Sequence, residues 1–384
     1  MAKIKILHII TRMDWGGSPD GIKETFRLFD PEVFDMYLVY GLTKNPDLDT
    51  KNFFEAFKEK LIFLPSLRRE INPLMDLVTF LKLCGIFQQY KPDLVNTHTT
   101  KAGILGRLAA FCVGIRKIVH FPHGNIFYGY YNRIISGGIL ILERCFSIFT
   151  KKLVVFTEAE KDVLLKLRLA RADKIEVIKP GIDFISKLDD SWLVKKRVAL
   201  GIKPGALIVG MVSRLEPIKG VDFFVLAALE VLKRRSNVFF IITGEGSLRS
   251  KLETEVCSAG REKEIIFTGW RNDAQSLMGL MDILVQPSLN EAIGRVLLEA
   301  QGLGVSVIAT KVGGIPDIIC DGVTGILIPQ ENTKALVDAI LDLLDDQAKR
   351  QRLSEKGRQW VRDNFSLREM IVRLAGFYKE EVFK

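Results

Sequence analysis

Residues 206–214 read ALIVGMVSR, an apolar run that closes on Ser213 and Arg214. A strand that is apolar on both faces belongs in a parallel sheet covered on both sides. Its place in the chain decides the fold. A series of such runs begins at IKILHII (4–10) and continues through MYLVY (36–40), DLVNTH (93–98), KIVHF (117–121), KLVVF (152–156) and KIEVI (174–178). Helical stretches such as NPLMDLVTFLKLCGIFQQY and KAGILGRLAAFCVG separate them. At residue 206 the series starts again, through NVFFIITG (237–244), EIIFTG (264–269), DILVQPS (282–288), VSVIAT (305–310) and TGILIP (324–329). Two alternating series of similar length predict an α/β protein of two doubly wound, Rossmann-like domains. The breaker Pro180-Gly181, in IKPGIDFISKLDDSW, puts the domains at 1–182 and 183–365. The strandless tail, about 366–384, is expected to be a helix able to pack back on the first domain. Open parallel sheets bind ligands beyond the carboxyl ends of their strands, so the expected site is a cleft between the two domains.

Composition narrows the class. The chain has 384 residues, 48% of them hydrophobic and 26% charged, as expected of a globular protein. Cysteines 84, 112, 145, 257 and 320 have no metal-ligand spacing and read as reduced core residues of a cytosolic protein. MAKIKILHII is too short in its apolar part for a signal peptide and reads as a first strand. IISGGILILERCFSIF (134–149) is interrupted by Glu143 and Arg144, short of the ~20 apolar residues of a membrane span, and reads as a long buried or interfacial helix. Residues 1–180 hold 27 Lys+Arg against 19 Asp+Glu, and residues 181–384 hold 28 against 27. The first half is therefore expected to face an anionic partner, a membrane surface or a phosphorylated substrate. No basic run interleaved with aromatics points to nucleic acid.

The unusual polar residues follow the strands. After the first comes TRMDWGGSPDG, where Asp14 precedes Gly16-Gly17 and bare backbone amides could approach a phosphate or sugar; a plain turn would look the same. GEGSL offers Gly244 and Gly246, read as close backbone approach to a ligand rather than a dinucleotide fingerprint. His98 ends DLVNTH and His123 follows KIVHFP, whereas His8 and His120 lie inside strand runs and read as structural. VSRLEPIKG supplies Arg214 and Lys219, a planar fork and a point charge that suit a diphosphate, although a solvated loop is the plainer reading of that segment alone. PSLNEAIGRVLLEA (287–300) sets Glu291 before Gly294, in the loop feeding a helix, and Glu299 inside an apolar run, where an unpaired carboxylate is costly. Eight helical residues span roughly 12 Å, about the distance from a hexose to a ribose across a diphosphate. Carboxylates accept hydrogen bonds in pairs, as vicinal hydroxyls require. A buried structural acid remains the other reading of Glu299. The DLD at 47–49 lies in a polar stretch and reads as a loop, not a metal site.

EAIGRVLLE, SRLEPIKG, the Gly16-Gly17 loop, PHG and IKPGID, in this order over nearly the whole chain, resemble glycosyltransferase family 4. HTTKAGILGRLAA further resembles bacterial members that build surface polysaccharides on lipid carriers. The resemblance implies the GT-B fold and a retaining hexosyl- or N-acetylhexosaminyltransferase. Its donor would be a nucleoside-diphosphate sugar, with UDP the expected carrier, and its acceptor a glycan or lipid-linked saccharide. It also implies roles. Glu299 would bind the ribose; Glu291, with the amides of Ala292, Ile293 and Gly294, the transferred sugar. Arg214 and Lys219 would stabilise the departing diphosphate; Arg295 and Val296 are counted among the donor-binding residues, although the charge of Arg295 has no explanation in the resemblance. His123 would contact the sugar near the reacting carbon, Gly16 and Gly17 would face phosphate and acceptor, and Gly269 and Trp270 would lie against the base. Asp14 and His98 would sit on the acceptor side. EAIGR, GGSPDG and Pro180 depart from the commoner patterns of the family.

Catalysis would be electrostatic, with fixed cations in the role of Mg²⁺, no metal and no cofactor. The expected setting is cytoplasmic, at the inner face of the plasma membrane. Three alternatives remain: a nucleotide-sugar epimerase of the same architecture, a phosphorylase, and a non-catalytic sugar-nucleotide- or lipid-surface-binding protein, against which the full set Glu291, Glu299, Arg214, Lys219 and His123 argues.

Overall fold

A computed structural model of the chain describes residues 3–14, 16–44, 46–124, 133–183 and 189–384. Trp15 of the first glycine loop and residues 184–188 of the expected joint lie outside them. The chain forms two compact units, residues 1–181 with 367–384, and residues 182–366.

The first unit is built on seven parallel strands: β1 (Ile4–Ile10), β2 (Phe34–Tyr40), β3 (Leu61–Phe63), β4 (Leu94–His98), β5 (Ile118–Phe121), β6 (Lys152–Val155) and β7 (Ile175–Val177). Their order is β3-β2-β1-β4-β5-β6-β7, so the chain reverses its direction of travel between β1 and β4. Alternate residues of β1 explain why it is apolar throughout. Ile6 and Ile10 face a cluster with Ile22 and Phe26 of the helix Gly17–Leu28. Leu7 and Ile9 face Leu83 and Phe87 of the helix Pro73–Tyr90, and Ala109 of the helix Thr100–Cys112. Each fully buried side chain of this size contributes about 1.5–3 kcal/mol. The final helix, Leu367–Phe383, adds Ile371, Leu374, Tyr378 and Val382, spaced three or four apart, to the β1 core.

The second unit repeats the scheme with β8 (Leu207–Val212), β9 (Val238–Thr243), β10 (Ile265–Gly269), β11 (Ile283–Gln286), β12 (Ser306–Thr310) and β13 (Ile326–Ile328). All are parallel, ordered β10-β9-β8-β11-β12-β13, with the switch between β8 and β11. The alternation therefore specifies both sheets. Only β3, three residues at the sheet edge, has no counterpart among the expected strands.

Three expectations need correction. The cysteines are free thiols but not core residues: Cys84 is half-buried and the other four are exposed. Apolar neighbours in the sequence do not say which side of a helix a residue occupies. The DLD stretch is not a bare loop. Asp47 caps the helix Leu48–Ala56, accepting from Thr50 N, and Asp49 lies 2.7 Å from the buried Lys23 ammonium. Burial works against that charge, yet Asp20 and Asp49 outweigh it and hold the Lys23 pKa above its ordinary value. The segment at 134–149 forms the helix Arg133–Ser147, whose stripe Ile134, Ile141 and Leu142 is exposed, so of the two readings, buried or interfacial, the buried one fails. No described helix is long and apolar enough to cross a membrane.

The asymmetry of charge is complete at the level of the units. The first holds 31 Lys+Arg against 22 Asp+Glu, and the second 24 against 24. The whole net charge of +9 lies on the first unit.

Candidate functional site

In the second unit the polar residues gather at the switch point, where β8 and β11 end. β8 runs into Ser213 and Arg214, then a single turn, Pro217–Lys219, closed by Gly220 at φ +66°. Leu215 N donates to Glu245 O (2.9 Å), and Leu248 N donates to Leu215 O (3.0 Å), locking this loop to the one after β9. That contact explains two glycines. A Cβ on Gly244, at φ +138°, would stand 1.8 Å from Ser213 O, and one on Gly246 would stand 2.4 Å from Leu215 O. The close approach they permit is of loop to loop, and no ligand is needed to account for them. Arg214 is half-buried, and among the described residues its guanidinium has no hydrogen-bond or ion-pair partner.

Lys219 is engaged. Its ammonium lies 2.5 Å from Glu291 Oε1, with both side chains largely buried (16% and 11% exposed). The same oxygen accepts from Ser288 Oγ (2.9 Å) and from Gln286 Nε2 (3.1 Å). Three donors thus fix Oε1, while among the described residues no donor reaches Oε2. The loop carrying Glu291 is held from behind: Gly314 N donates to Glu291 O (3.2 Å), and a Cβ on Gly313 (φ +52°) would lie 1.8 Å from that carbonyl. Sequence reasoning missed Gln286, Ser288 and Gly313. Two signals were present: a glutamine at the end of an apolar strand run, and a second Gly-Gly pair directly after a strand, in KVGGIPD.

The helix begins only at Arg295 and ends at Gly302, with Gly294 (φ +66°) as its N-cap and no side-chain cap. Ala292, Ile293 and Gly294 are loop residues, so the all-helical 12 Å between the two glutamates does not apply. Glu299 is not an unpaired buried acid. It is partly exposed and takes a hydrogen bond from Arg295 Nε at 3.0 Å, one turn earlier. The charge of Arg295 is thereby explained. Val296, beside it in the first turn, is half-buried. Gly269 ends β10 at φ +71°, and Trp270 after it is 40% exposed.

In the first unit the switch point is bounded by the ends of β1 and β4. Thr11 and Thr99 meet there through their hydroxyls at 3.3 Å. Gly16 adopts φ +149° as N-cap of the helix that Gly17 opens, again without a side-chain cap. Asp14 accepts from Lys44 N at 3.0 Å and lies 3.1 Å from Arg12, so its carboxylate is already engaged. His98 and His123 do come together: His98 Nδ1 and His123 Nε2 are 2.8 Å apart. His123 and Thr99, each following a strand, have φ +57° and +63°, positions where a side chain other than glycine stores strain. His8 reaches the same group, its Nδ1 lying 3.1 Å from His98 Nε2, so it is a member of the cluster as well as a core residue. Burial lowers the His8 and His123 pKa values to about 3. His98 is held well below its ordinary value by burial first, then by His123. All three rings are neutral at physiological pH.

Two doubly wound units, each with polar groups at its switch point, define the GT-B class of glycosyltransferase. Residues 195–360 match the family model described as glycosyl transferases group 1, and residues 45–184 match that described as glycosyltransferase family 4. Together the two matches span most of the chain and make it a glycosyltransferase of the family 4 type. It is 27% identical, over 99% of its length and 98% of the other's, to the Escherichia coli UDP-Gal:alpha-D-GlcNAc-diphosphoundecaprenol alpha-1,3-galactosyltransferase. It is 25% identical to the Staphylococcus aureus capsular polysaccharide biosynthesis glycosyltransferase CapM, covering 84% of this chain and 86% of that protein. The fold is shared with Anabaena HepE, solved with UDP and glucose, at a TM-score of 0.85 and 21% identity over 98% of this chain and 100% of that one. WaaG, a glycosyltransferase involved in lipopolysaccharide biosynthesis, matches at 0.74 and 19% identity over 97% and 99%. The chain is a glycosyltransferase of polysaccharide biosynthesis.

Proposed function

We propose that this enzyme transfers a hexosyl or N-acetylhexosaminyl group from a nucleoside-diphosphate sugar, UDP-linked, to a lipid-linked or glycan acceptor. Transfer retains the anomeric configuration and uses no metal or cofactor. The observation that carries the reading is the group following β8 and β11: Arg214, whose guanidinium has no partner among the described residues, and the Lys219–Glu291 pair, whose Oε2 no described donor reaches. A departing diphosphate gathers negative charge, which Arg214, Lys219 and the uncapped helix start at Arg295 are suited to stabilise. Oε2 of Glu291 accepts from sugar hydroxyls, and Glu299 binds the ribose. His123 contacts the sugar near the reacting carbon. The donor and acceptor in the name of the Escherichia coli relative, and the UDP and glucose bound by HepE, support this choice of substrate class.

A peripheral place at an anionic membrane face is part of the proposal. It is supported by the +9 charge of the first unit and by its exposed apolar residues, among them Leu74 and Ile134 at 74% and 86% exposure. Flotation with anionic liposomes at low salt tests that part, and absence of binding would remove it. The donor is tested by thermal shift against a panel of nucleotide sugars, followed by transfer in excess chelator with the product anomer read by NMR. No stabilisation by any nucleotide sugar would sink the reading.

A further inference from the structure

The histidine cluster continues past His8. Asn96 Nδ2 lies 3.3 Å from His8 Nδ1 and also bonds the Tyr378 hydroxyl, on the far side of the β1 core. A chain of hydrogen bonds thus runs Tyr378–Asn96–His8–His98–His123, from the last helix to the end of β5. It is closed at its inner end, since Tyr378 and His8 are 1% exposed and His8 Nε2 has no partner among the described residues. A chain closed at one end cannot conduct protons through to water. It can, however, dictate where each ring carries its proton.

We propose that Asn96 and Tyr378, acting through His8 and His98, fix the tautomer of His123 and leave its Nδ1 unprotonated to accept a hydrogen bond from a substrate hydroxyl. The assignment follows from donors and acceptors in turn. Asn96 Nδ2, which can only donate, faces both Tyr378 Oη and His8 Nδ1 and gives one hydrogen to each. His8 Nδ1 therefore carries a lone pair, and His98 donates to it from Nε2. His98 Nδ1 is then the acceptor, and His123 donates from Nε2. The only ring nitrogen left on His123 for a ligand is Nδ1, with its lone pair. His120 provides the contrast: its Nδ1 lies 3.1 Å from the Thr97 carbonyl, which can only accept, so His120 carries its proton on Nδ1. Asn96, Tyr378, His8 and His98 are positioning residues. Only the use of the His123 lone pair by a sugar hydroxyl rests on the proposed function.

The chain has four histidines, so imidazole ¹⁵N spectra of the whole protein resolve the question without a substitution. The expected spectrum at neutral pH has three rings protonated at Nε2 and one, His120, at Nδ1. Asn96→Asp puts an acceptor where the amide donor was, draws the His8 proton to Nδ1 and reverses the two rings beyond it. His123 should then be protonated at Nδ1, with kcat reduced about tenfold or more and donor KM changed less than threefold. Tyr378→Phe, which keeps the ring, frees the amide to turn over and should give His123 a mixture of tautomers. Nδ1 protonation of His8, His98 or His123 in the unaltered protein, or an unchanged His123 in both folded variants, would overturn the proposal. Reversed tautomers with unchanged transfer would uphold the tautomer chain and remove His123 from the reaction.

Discussion

Lys219 Nζ and Glu291 Oε1 are 2.5 Å apart, and that oxygen is also the acceptor for Gln286 and Ser288. A cation proposed to meet a diphosphate is thus held, before any ligand arrives, by the acid proposed to meet the sugar. Removing either leaves the other largely buried without its counter-charge. Lys219→Ala should lower kcat about a hundredfold with a smaller effect on donor KM. Glu291→Ala should lose as much activity. The double variant should be no worse than the poorer single one, because each residue acts through the pair. Steady-state kinetics of the three proteins check this, and additive losses would show that the two act separately.

Arg214 offers the opposite case. Without a partner among the described residues, its guanidinium contributes nothing visible to the fold, so Arg214→Met should leave the unfolding free energy, measured in urea, within about 0.5 kcal/mol of the parent. Donor-diphosphate affinity should nonetheless fall at least tenfold, measured by calorimetry with the nucleoside diphosphate. A variant that unfolds earlier but binds normally would make Arg214 a structural residue.

Glu299 and Arg295 pair one turn apart on the same helix face, and partial exposure keeps that pair weak, about 0.3–0.5 kcal/mol. Glu299→Ala should therefore raise donor KM at least tenfold while stability changes little. Equal KM values for parent and variant would take the ribose away from Glu299.

Both sheets were legible because a parallel strand buried on two faces is apolar throughout; their strand order was not, because nothing local in a strand names its neighbours. β3 was missed because three residues at a sheet edge carry no such pattern. The site was legible at the level of residue type, since Arg214, Lys219 and Glu291 all stand just after strands. Their pairing was not, because Lys219 and Glu291 are 72 positions apart and nothing local in the chain signals their meeting. The same limit hid the reason for Gly244 and Gly246, which is the neighbouring loop. It also hid Asn96 and Tyr378, whose contact spans 282 positions.

Gly313 separates crowding from backbone conformation. Gly313 and Gly322 both have positive φ, +52° and +69°, so alanine at either pays the left-handed penalty of about 1–2 kcal/mol. A Cβ at Gly322 meets nothing within 4 Å, whereas at Gly313 it would fall 1.8 Å from Glu291 O. Gly313→Ala should therefore destabilise by at least about 1 kcal/mol more than Gly322→Ala, and it alone should reduce transfer, by displacing the Glu291 loop. Chemical unfolding and transfer rates of the two variants, side by side, decide it.

The buried histidines set an acid limit on the first unit. His8 titrates near 3 in the folded chain because burial disfavours its charge, while in the unfolded chain a histidine titrates at about 6.5. The unfolded state therefore binds the extra proton first. Stability that rests on the neutral ring is complete above about pH 6.5 and is lost as the pH falls from there towards 3. Each such ring gives a slope of up to about 1.4 kcal/mol per pH unit within that window. His98 and His120, also held well below the ordinary value by burial, add in the same direction. Most carboxylates titrate near 4, so the span from pH 7 to 5 isolates the histidine contribution. Unfolding free energy of the first unit should fall across that span, and His8→Gln should make the fall shallower by close to one proton. A stability flat from pH 7 to 5 would mean that the rings already carry charge in the folded protein.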